Sequence, residues 1–334
     1  MRQSHPRLRS LCGVVLLACP ALALFAANSR WAEAYHHFWQ LPLSIGVGEH
    51  RLSHSLEYWI NDALMVVFFF VIGLEIKRET VTGELSNRKQ LVLPVAAALG
   101  GVVVPVLVYL SQQLGQEGQH GWAVPMATDI AFVVGCMALL GSRIPHGLKI
   151  LMLSLAIVDD LAAVLVIAIF YTDQIHGVWL AAAFGGYALI AILNRSGVRA
   201  ISAYVVMGIV VWYCMLESGV HPTIAGVVLG LLTPVEALLQ QEGYLRLLVR
   251  TYEQLGEPSM SAAERRRTLS DLAFATQEAV PPVVRLESAL HPWVAFVIMP
   301  LFALANAGVT ITADALAQPV AMAVALGRFA GKGI

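Results

Sequence analysis

Two adjacent aspartates, Asp159 and Asp160, lie in the middle of an otherwise uncharged apolar run that extends from Ile150 to Tyr171. At about 1.5 Å per residue, a helix over this run is long enough to cross a bilayer. A carboxylate at the centre of a membrane costs roughly 2.5–3.5 kcal/mol on insertion scales. A chain that carries two is expected to use them, and the uses open to them are cation binding and proton transfer.

The two aspartates cannot face one spot equally, because neighbours on a helix point about 100° apart. One of them can face a site shared with Asp129, while the other faces another helix or the access path. Protons and a cation would then compete for the same carboxylates. A polar contact between helices is the alternative, and it explains one aspartate better than two.

Asp129 follows Thr128 in another apolar run, with Pro125 four residues before it. Proline removes a backbone donor, and Thr and Asp are poor helix formers. The pattern predicts a broken helix at membrane depth, where free carbonyls and half-helix ends bind or balance ions. The alternative is a hydrogen-bonded carboxyl that joins two helices. Lys332, in the last apolar run, needs a carboxylate partner if it is buried.

A second group of charged residues lies at the C-terminal end of the second apolar run. Glu75, Arg78 and Glu79 are spaced so that Glu75 can meet either of the others on one helix face. The alternative is an ordinary charged helix end at the membrane surface. Asp62 lies nearer the other end of this run, and we interpret it as a residue at the membrane interface.

Composition identifies a membrane protein. The 334 residues are 58% hydrophobic and 13% charged, whereas soluble domains are about 25% charged. The net charge of −1 argues against a nucleic-acid partner, and no run of like charges is typical of a basic arm. The four cysteines lack metal-ligand spacing and are expected to be packing residues, and no cofactor is implied.

Ten apolar runs predict an all-α helix bundle. They fall at about 11–27, 57–76, 91–112, 122–140, 148–172, 177–194, 201–217, 220–233, 290–310 and 319–334. The first could be a signal peptide, but we interpret it as a retained helix. The predicted organisation is eight membrane helices over 1–233, a cytoplasmic loop over 234–289 and two helices over 290–334, with His221-Pro and His291-Pro heading the eighth and ninth.

The distribution of basic residues supports this topology. With the N-terminus in the cytoplasm, 17 of the 21 Lys and Arg residues lie in inside segments, two lie outside, and Arg328 and Lys332 remain in the last run. Within the loop, leucines at 245, 247, 248, 255, 269 and 272 indicate short amphipathic helices on the cytoplasmic face. A solvated linker with partial helix is the alternative.

Several motifs together resemble the NhaA family of bacterial sodium/proton antiporters, from about residue 10 to the end apart from the loop. They are W-I-N-D-A-L-M (59–65), G-L-E-I-K-R-E (73–79), A-T-D-I-A-F (127–132), L-L-G-S-R-I-P (139–145), L-A-I-V-D-D-L (155–161), S-G-V-H-P-T-I-A-G (218–226), L-H-P-W-V-A-F (290–296) and P-L-F-A-L-A-N-A-G (300–308). A-T-D-I-A-F and I-V-D-D-L at this spacing are highly specific.

The resemblance implies an inner-membrane bundle with inverted repeats and broken helices that exchanges Na⁺ or Li⁺ for protons by alternating access. It implies that Asp159 and Asp160 bind the transported cation and protons, beside Asp129 and Thr128, while Lys332 balances charge. It also implies a cytoplasmic pH-response region that contains Glu75, Arg78, Glu79, Arg285 and Glu287. Asp62 and His221 align with weaker roles, and a homodimer is left open.

Two departures from the family pattern qualify this expectation. The cytoplasmic loop is longer than usual, and the sequence ends at the tenth of the family's twelve helices, with G-K-G-I in place of the proline-containing run. We therefore expect the last two helices, including the second broken one, to be absent, and a non-functional remnant is the alternative function. An intramembrane aspartyl protease is a further alternative, but the chain has no G-x-G-D motif.

Overall fold

The computed structural model describes residues 6–47, 50–83, 88–126, 175–198, 201–237, 239, 241–256, 260–312 and 318–332, and single residues between 145 and 172. Its helices are numbered here in chain order. They are α1 Pro6–Ala27, α2 Ala32–Gln40, α3 Leu56–Val81, α4 Arg88–Gln113, α5 Gly177–Arg195, α6 Ile201–Glu217, α7 Thr223–Leu232, α8 Gln241–Leu255, α9 Ala262–Glu278, α10 Pro282–Asn306 and α11 Pro319–Lys332.

The all-α polytopic membrane fold is confirmed. Among the described residues, four helices are long and apolar enough to cross a membrane: α3, the Val95–Gln113 part of α4, α5 and α10. A fifth is added if α1 and α2, which meet at a bend of 114°, count as one broken span. The shorter apolar helices α6, α7 and α11 match the seventh, eighth and tenth predicted runs. Most of the fourth run lies outside the described residues.

Glycines allow close contact between helices α3 and α7. In α7, Gly226 and Gly230 form a small-xxx-small pattern, in which Gly226 lies against the backbone of Val66 and Gly230 lies against Gly73 of α3. A Cβ atom at Gly73 would lie 2.5 Å from the carbonyl oxygen of Val227, and one at Gly230 would lie 2.6 Å from that of Phe70. These positions therefore need glycine for the backbones of α3 and α7 to touch.

The other helices pack around this pair. A buried cluster that includes Ala183, Val211 and Ala225 joins α5, α6 and α7. Helix α11 lies on α4 and on the 3-10 turn Val124–Met126, and α10 lies on α3. Helix α1 packs on the end of α10, where the Asn28 amide donates to the Val309 carbonyl at 2.9 Å.

An antiparallel hairpin is a structural element that the sequence interpretation missed. Strand β1, Pro42–Val47, pairs with β2, His50–Ser55, in a segment that hydropathy leaves as a loop. Its signal was the alternation of Leu43, Ile45 and Val47 with small residues. The run is too short and too exposed to stand out beside membrane helices.

The start of α10 differs from expectation. The helix begins at Pro282, inside the predicted loop, because proline fits the first helical turn. His291 therefore lies within α10 and does not head it, whereas His221 does precede α7 as predicted. Pro292 is followed by a π-helical stretch, Val294–Ile298, and another π-helical stretch, Trp59–Leu64, lies in α3.

Two helices, α8 and α9, lie in the predicted loop and pack on each other. Helix α8 is amphipathic as predicted, whereas α9 is polar on most of its surface, and their place on the cytoplasmic face stays a prediction. Helix α9 begins with a capping box, in which the Ser261 N–H donates to Glu264 Oε2 at 2.9 Å and the Glu264 N–H donates to Ser261 Oγ at 3.3 Å. The Ser261 hydroxyl also donates to Glu264 Oε2 at 2.6 Å. These bonds, the hydroxyl first, hold the pKa of Glu264 below its ordinary value.

Candidate cation site and charge cluster

Asp159 is a buried carboxyl in a helical stretch. Its backbone is helical, like that of Val158 beside it, and the residue is 7% exposed. A buried carboxylate costs free energy unless its charge is compensated, and a bound proton or a cation provides such compensation. The burial that the sequence predicts for this aspartate is therefore present.

The rest of the predicted cation site is only partly described. Asp160, Asp129 and Thr128 lie outside the described residues. Lys332 is the last residue of α11, and its side chain also lies outside the description. Its pairing with an aspartate stays a prediction.

The fold nevertheless brings together two segments next to the predicted site, helix α11 and the turn Val124–Met126. Helix α11 packs on the turn Val124–Met126, which directly precedes residues 127–129. The contact is close, because a Cβ atom at Gly327 would lie 3.1 Å from Pro125 Cβ and 3.1 Å from the Pro105 carbonyl oxygen. The helix that ends at Lys332 is thus packed against the start of the predicted broken segment.

A charge cluster joins α3 to α10. Arg78 Nη2 lies 2.9 Å from Glu79 Oε1, and Arg78 Nη1 lies 3.2 Å from Glu287 Oε1. The side chains of Arg78, Glu79 and Glu287 are 23%, 21% and 16% exposed. Glu75 lies within electrostatic range of all three. We call Glu75, Arg78, Glu79 and Glu287 the α3–α10 charge cluster.

This cluster has three carboxylates around one guanidinium. Within the part of the chain that the structure describes, Glu75 has no ion pair of its own, although the helical spacing allowed one with Arg78. Arg78 Nε and Glu287 Oε2 are buried and make no hydrogen bond among these residues. The cluster therefore carries an excess of negative charge in a half-buried place.

Arg285 does not join the cluster. Its Nη1 donates to the Gln277 carbonyl oxygen at 3.0 Å and to Glu278 Oε1 at 3.2 Å. A cation at these last carbonyls stabilises the C-terminal end of α9. Four of the five predicted pH-response residues thus come together, and the fifth clamps α9 to the start of α10.

Sequence reasoning gave no role to a polar junction at the opposite end of α3. The amides of Asn61 and Asn306 donate to each other at 3.2 Å and 2.8 Å, which joins the π-helical stretch of α3 to the end of α10. Trp212 Nε1 donates to the Asp62 carbonyl oxygen at 2.8 Å. The motifs W-I-N-D and A-L-A-N-A-G contain these residues, but only the fold pairs them.

Comparison with known proteins identifies the family that the chain matches. The family model described as Na⁺/H⁺ antiporter 1 matches residues 4–334. The chain is 50% identical to the Na⁺/H⁺ antiporter NhaA of Rhodopirellula baltica over 321 residues, which are 96% of this chain and 73% of that protein.

Two other relatives agree. The identity is 51% over 302 residues with Na⁺/H⁺ antiporter NhaA 2 of Sorangium cellulosum, covering 90% of this chain and 64% of that protein. It is 47% over 332 residues with NhaA 2 of Acidiphilium cryptum, covering 98% and 73%. With a family match over nearly its whole length and a buried aspartate in the motif L-A-I-V-D-D-L, the chain belongs to the Na⁺/H⁺ antiporter 1 family.

Proposed function

We propose that this protein is a secondary active antiporter that exchanges cytoplasmic Na⁺, or Li⁺, for external protons and so serves sodium and pH homeostasis. The family match over residues 4–334 carries this proposal. The buried carboxyl of Asp159 supports it, because a titrating group inside an apolar helix binds a proton or a cation in turn.

In the proposed cycle, Asp159 and Asp160 bind the transported cation in their ionised form. Asp129 and Thr128 contribute oxygen atoms, and Lys332 balances the negative charge when no cation is present. Protons taken up by the carboxylates neutralise them and release the cation. Because each occupant displaces the other, movement of one ion down its gradient drives the other.

The proposed location is the bacterial inner membrane, with the N-terminus in the cytoplasm. The support is the placement of 17 of the 21 Lys and Arg residues on one side of the predicted topology. In this orientation the α3–α10 charge cluster lies at the cytoplasmic end of the bundle. We assign it a role in pH response, because protonation of Glu287 removes the ion pair between α3 and α10, and protonation of Glu75 or Glu79 changes the charge around Arg78.

Sodium-driven proton movement in vesicles tests the proposal. Asp159→Asn and Asp160→Asn should each abolish exchange while the protein still inserts, because each loses a titrating carboxylate. Asp271→Asn is a matched control, since Asp271 is an exposed residue of α9 and exchange should persist. Normal exchange by either site variant would contradict the assignment, and no exchange by the unaltered chain would favour the remnant.

A further inference from the structure

Helix α2 begins close to the end of a helix that is long enough to cross the membrane. Helix α1 has 22 residues, so at about 1.5 Å per residue it covers roughly 33 Å, which suffices for a hydrocarbon core of about 30 Å. The chain then turns by 114°, which is more than a right angle, into α2. With α1 across the bilayer, α2 therefore runs along the membrane surface and tips back toward it.

Two sides of α2 have clear surroundings. On the packed side, the Tyr35 hydroxyl donates to the Leu304 carbonyl of α10, and the indole nitrogen of Trp39 is buried. Tyr35 also lies so close to Gly308 that a side chain at that position would clash with its ring. These contacts fix the rotation of α2 about its own axis. The polar side consists of four exposed residues: Glu33, His36, His37 and Gln40.

An exposed apolar flank lies between these two sides. It consists of Trp31, Ala34 and Phe38, which share one face because they are spaced i, i+3 and i+7. We call these three residues the α2 flank. Trp31 is 57% exposed and Phe38 is 51% exposed. The charged residues of this segment, Arg30 and Glu33, sum to zero, so no net charge attracts the flank to an anionic or a cationic partner.

The area and the position of the α2 flank favour lipid over a second copy of the chain. At these exposures its two aromatic side chains present roughly 250 Å² together, whereas a standard protein interface covers about 800 Å² on each partner. The flank also continues an apolar membrane-facing surface, since Leu22 and Phe25 near the end of α1 are 59% and 67% exposed. The bilayer is thus the apolar medium that already surrounds the helix next to it.

We propose that α2 is an interfacial helix whose flank inserts into the bilayer surface beside the end of α1. Amphipathic helices lie in this plane with the apolar face toward the acyl chains, and tryptophan is enriched there. The Arg30 guanidinium lies 5.6 Å from the centre of the Trp31 ring, so it stays at headgroup level above the inserted ring. Through Tyr35, the inserted helix holds the end of α10 at the membrane surface.

A fluorophore on Ala34→Cys tests the insertion, in a chain whose native cysteines are replaced and in nanodiscs that contain one copy each. Phosphatidylcholine with a nitroxide near its headgroup should quench this probe, and added phosphatidylglycerol should not change the quenching. A probe on Gln40→Cys, about 120° around the helix, is the matched control and should be quenched much less by lipid and more by aqueous iodide. With nitroxide lipid in both leaflets, the result depends neither on orientation nor on transport, so it is independent of the antiport proposal.

Side-chain variants provide the second arm. Trp31→Ser with Phe38→Ser should lower the lipid quenching at residue 34 to the level at residue 40, because the flank loses its apolar groups. The double leucine variant should retain the quenching, which separates lost apolar surface from misfolding. Three results would overturn the proposal: equal lipid quenching at residues 34 and 40, quenching at residue 34 that requires anionic lipid, or protection from iodide only in nanodiscs with two copies, as a second copy on the flank would give.

Discussion

Neutralising Arg78 should destabilise the fold more than neutralising a carboxylate that it contacts. Arg78 is the cation between Glu79, at 2.9 Å, and Glu287, at 3.2 Å, with Glu75 nearby. Arg78→Gln leaves three carboxylates around a neutral group. Glu287→Gln leaves Arg78 paired with Glu79 and removes one negative charge from beside Glu75.

The exposures set the magnitude. Exposed ion pairs contribute about 0.2–1 kcal/mol, whereas removal of one partner from a fully buried pair costs about 3–5 kcal/mol. The side chains of Arg78, Glu79 and Glu287 are 16% to 23% exposed, which lies between these limits. We therefore expect Arg78→Gln to lower the free energy of unfolding by roughly 2–3 kcal/mol, and Glu287→Gln by about 1 kcal/mol or less.

Steric trapping in bicelles measures these free energies, and the double variant completes a mutant cycle. The exposed pair of Glu242 and Arg246 is the control, and its loss should change the free energy by at most about 0.5 kcal/mol. Equal effects of Arg78→Gln and Glu287→Gln would contradict the predicted asymmetry. Additivity in the cycle would show that the two residues do not interact as their 3.2 Å separation indicates.

Three further outcomes are expected. Gly73→Ala should lower the thermal stability in detergent, because the added methyl would lie 2.5 Å from a carbonyl oxygen. Gly101→Ala is the control and should not lower it, because no atom lies within 4 Å of the added methyl. Equal changes in melting temperature would contradict the close packing of α3 and α7. The first turn of α9 should lose amide protection as pH falls through the lowered pKa of Glu264, since a depressed carboxyl pKa contributes stability that is lost as pH falls through that value. Ser261→Ala should weaken this pH dependence, because it removes the hydroxyl donor and keeps the backbone N–H donor. The apparent affinity for Na⁺, measured by exchange in vesicles, should weaken as pH falls, by up to about tenfold per pH unit for each proton displaced. An affinity that does not change with pH would refute competition between protons and Na⁺.

Hydropathy located the membrane helices because their apolar runs end at turn residues or charges. The runs at 177–194 and 201–217 correspond to α5, Gly177–Arg195, and α6, Ile201–Glu217. The same method placed the ninth helix too late. It treats every charge as solvated, yet Arg285 and Glu287 are helical and paired with other parts of the fold.

The candidate site also has features that the sequence predicts and features that only the fold reveals. An aspartate in an apolar run must be buried, so the sequence alone predicts the environment of Asp159. The long-range partner of Arg78 could not be read locally, because Glu287 is on a distant helix, whereas helical spacing pointed to Glu75. The Asn61–Asn306 junction is another long-range pair that no periodicity reports.

The first turns of α10 connect the charge cluster to the loop hairpin. Arg285 and Glu287 are two residues apart, so their side chains point about 200° apart around the helix. One contacts the end of α9, and the other contacts Arg78 of α3. The first turns of α10 therefore contact both the end of α9 and the charge cluster, although α8 and α9 contribute no residue to the cluster. We expect a displacement of α9 to be felt at Glu287 through this shared turn.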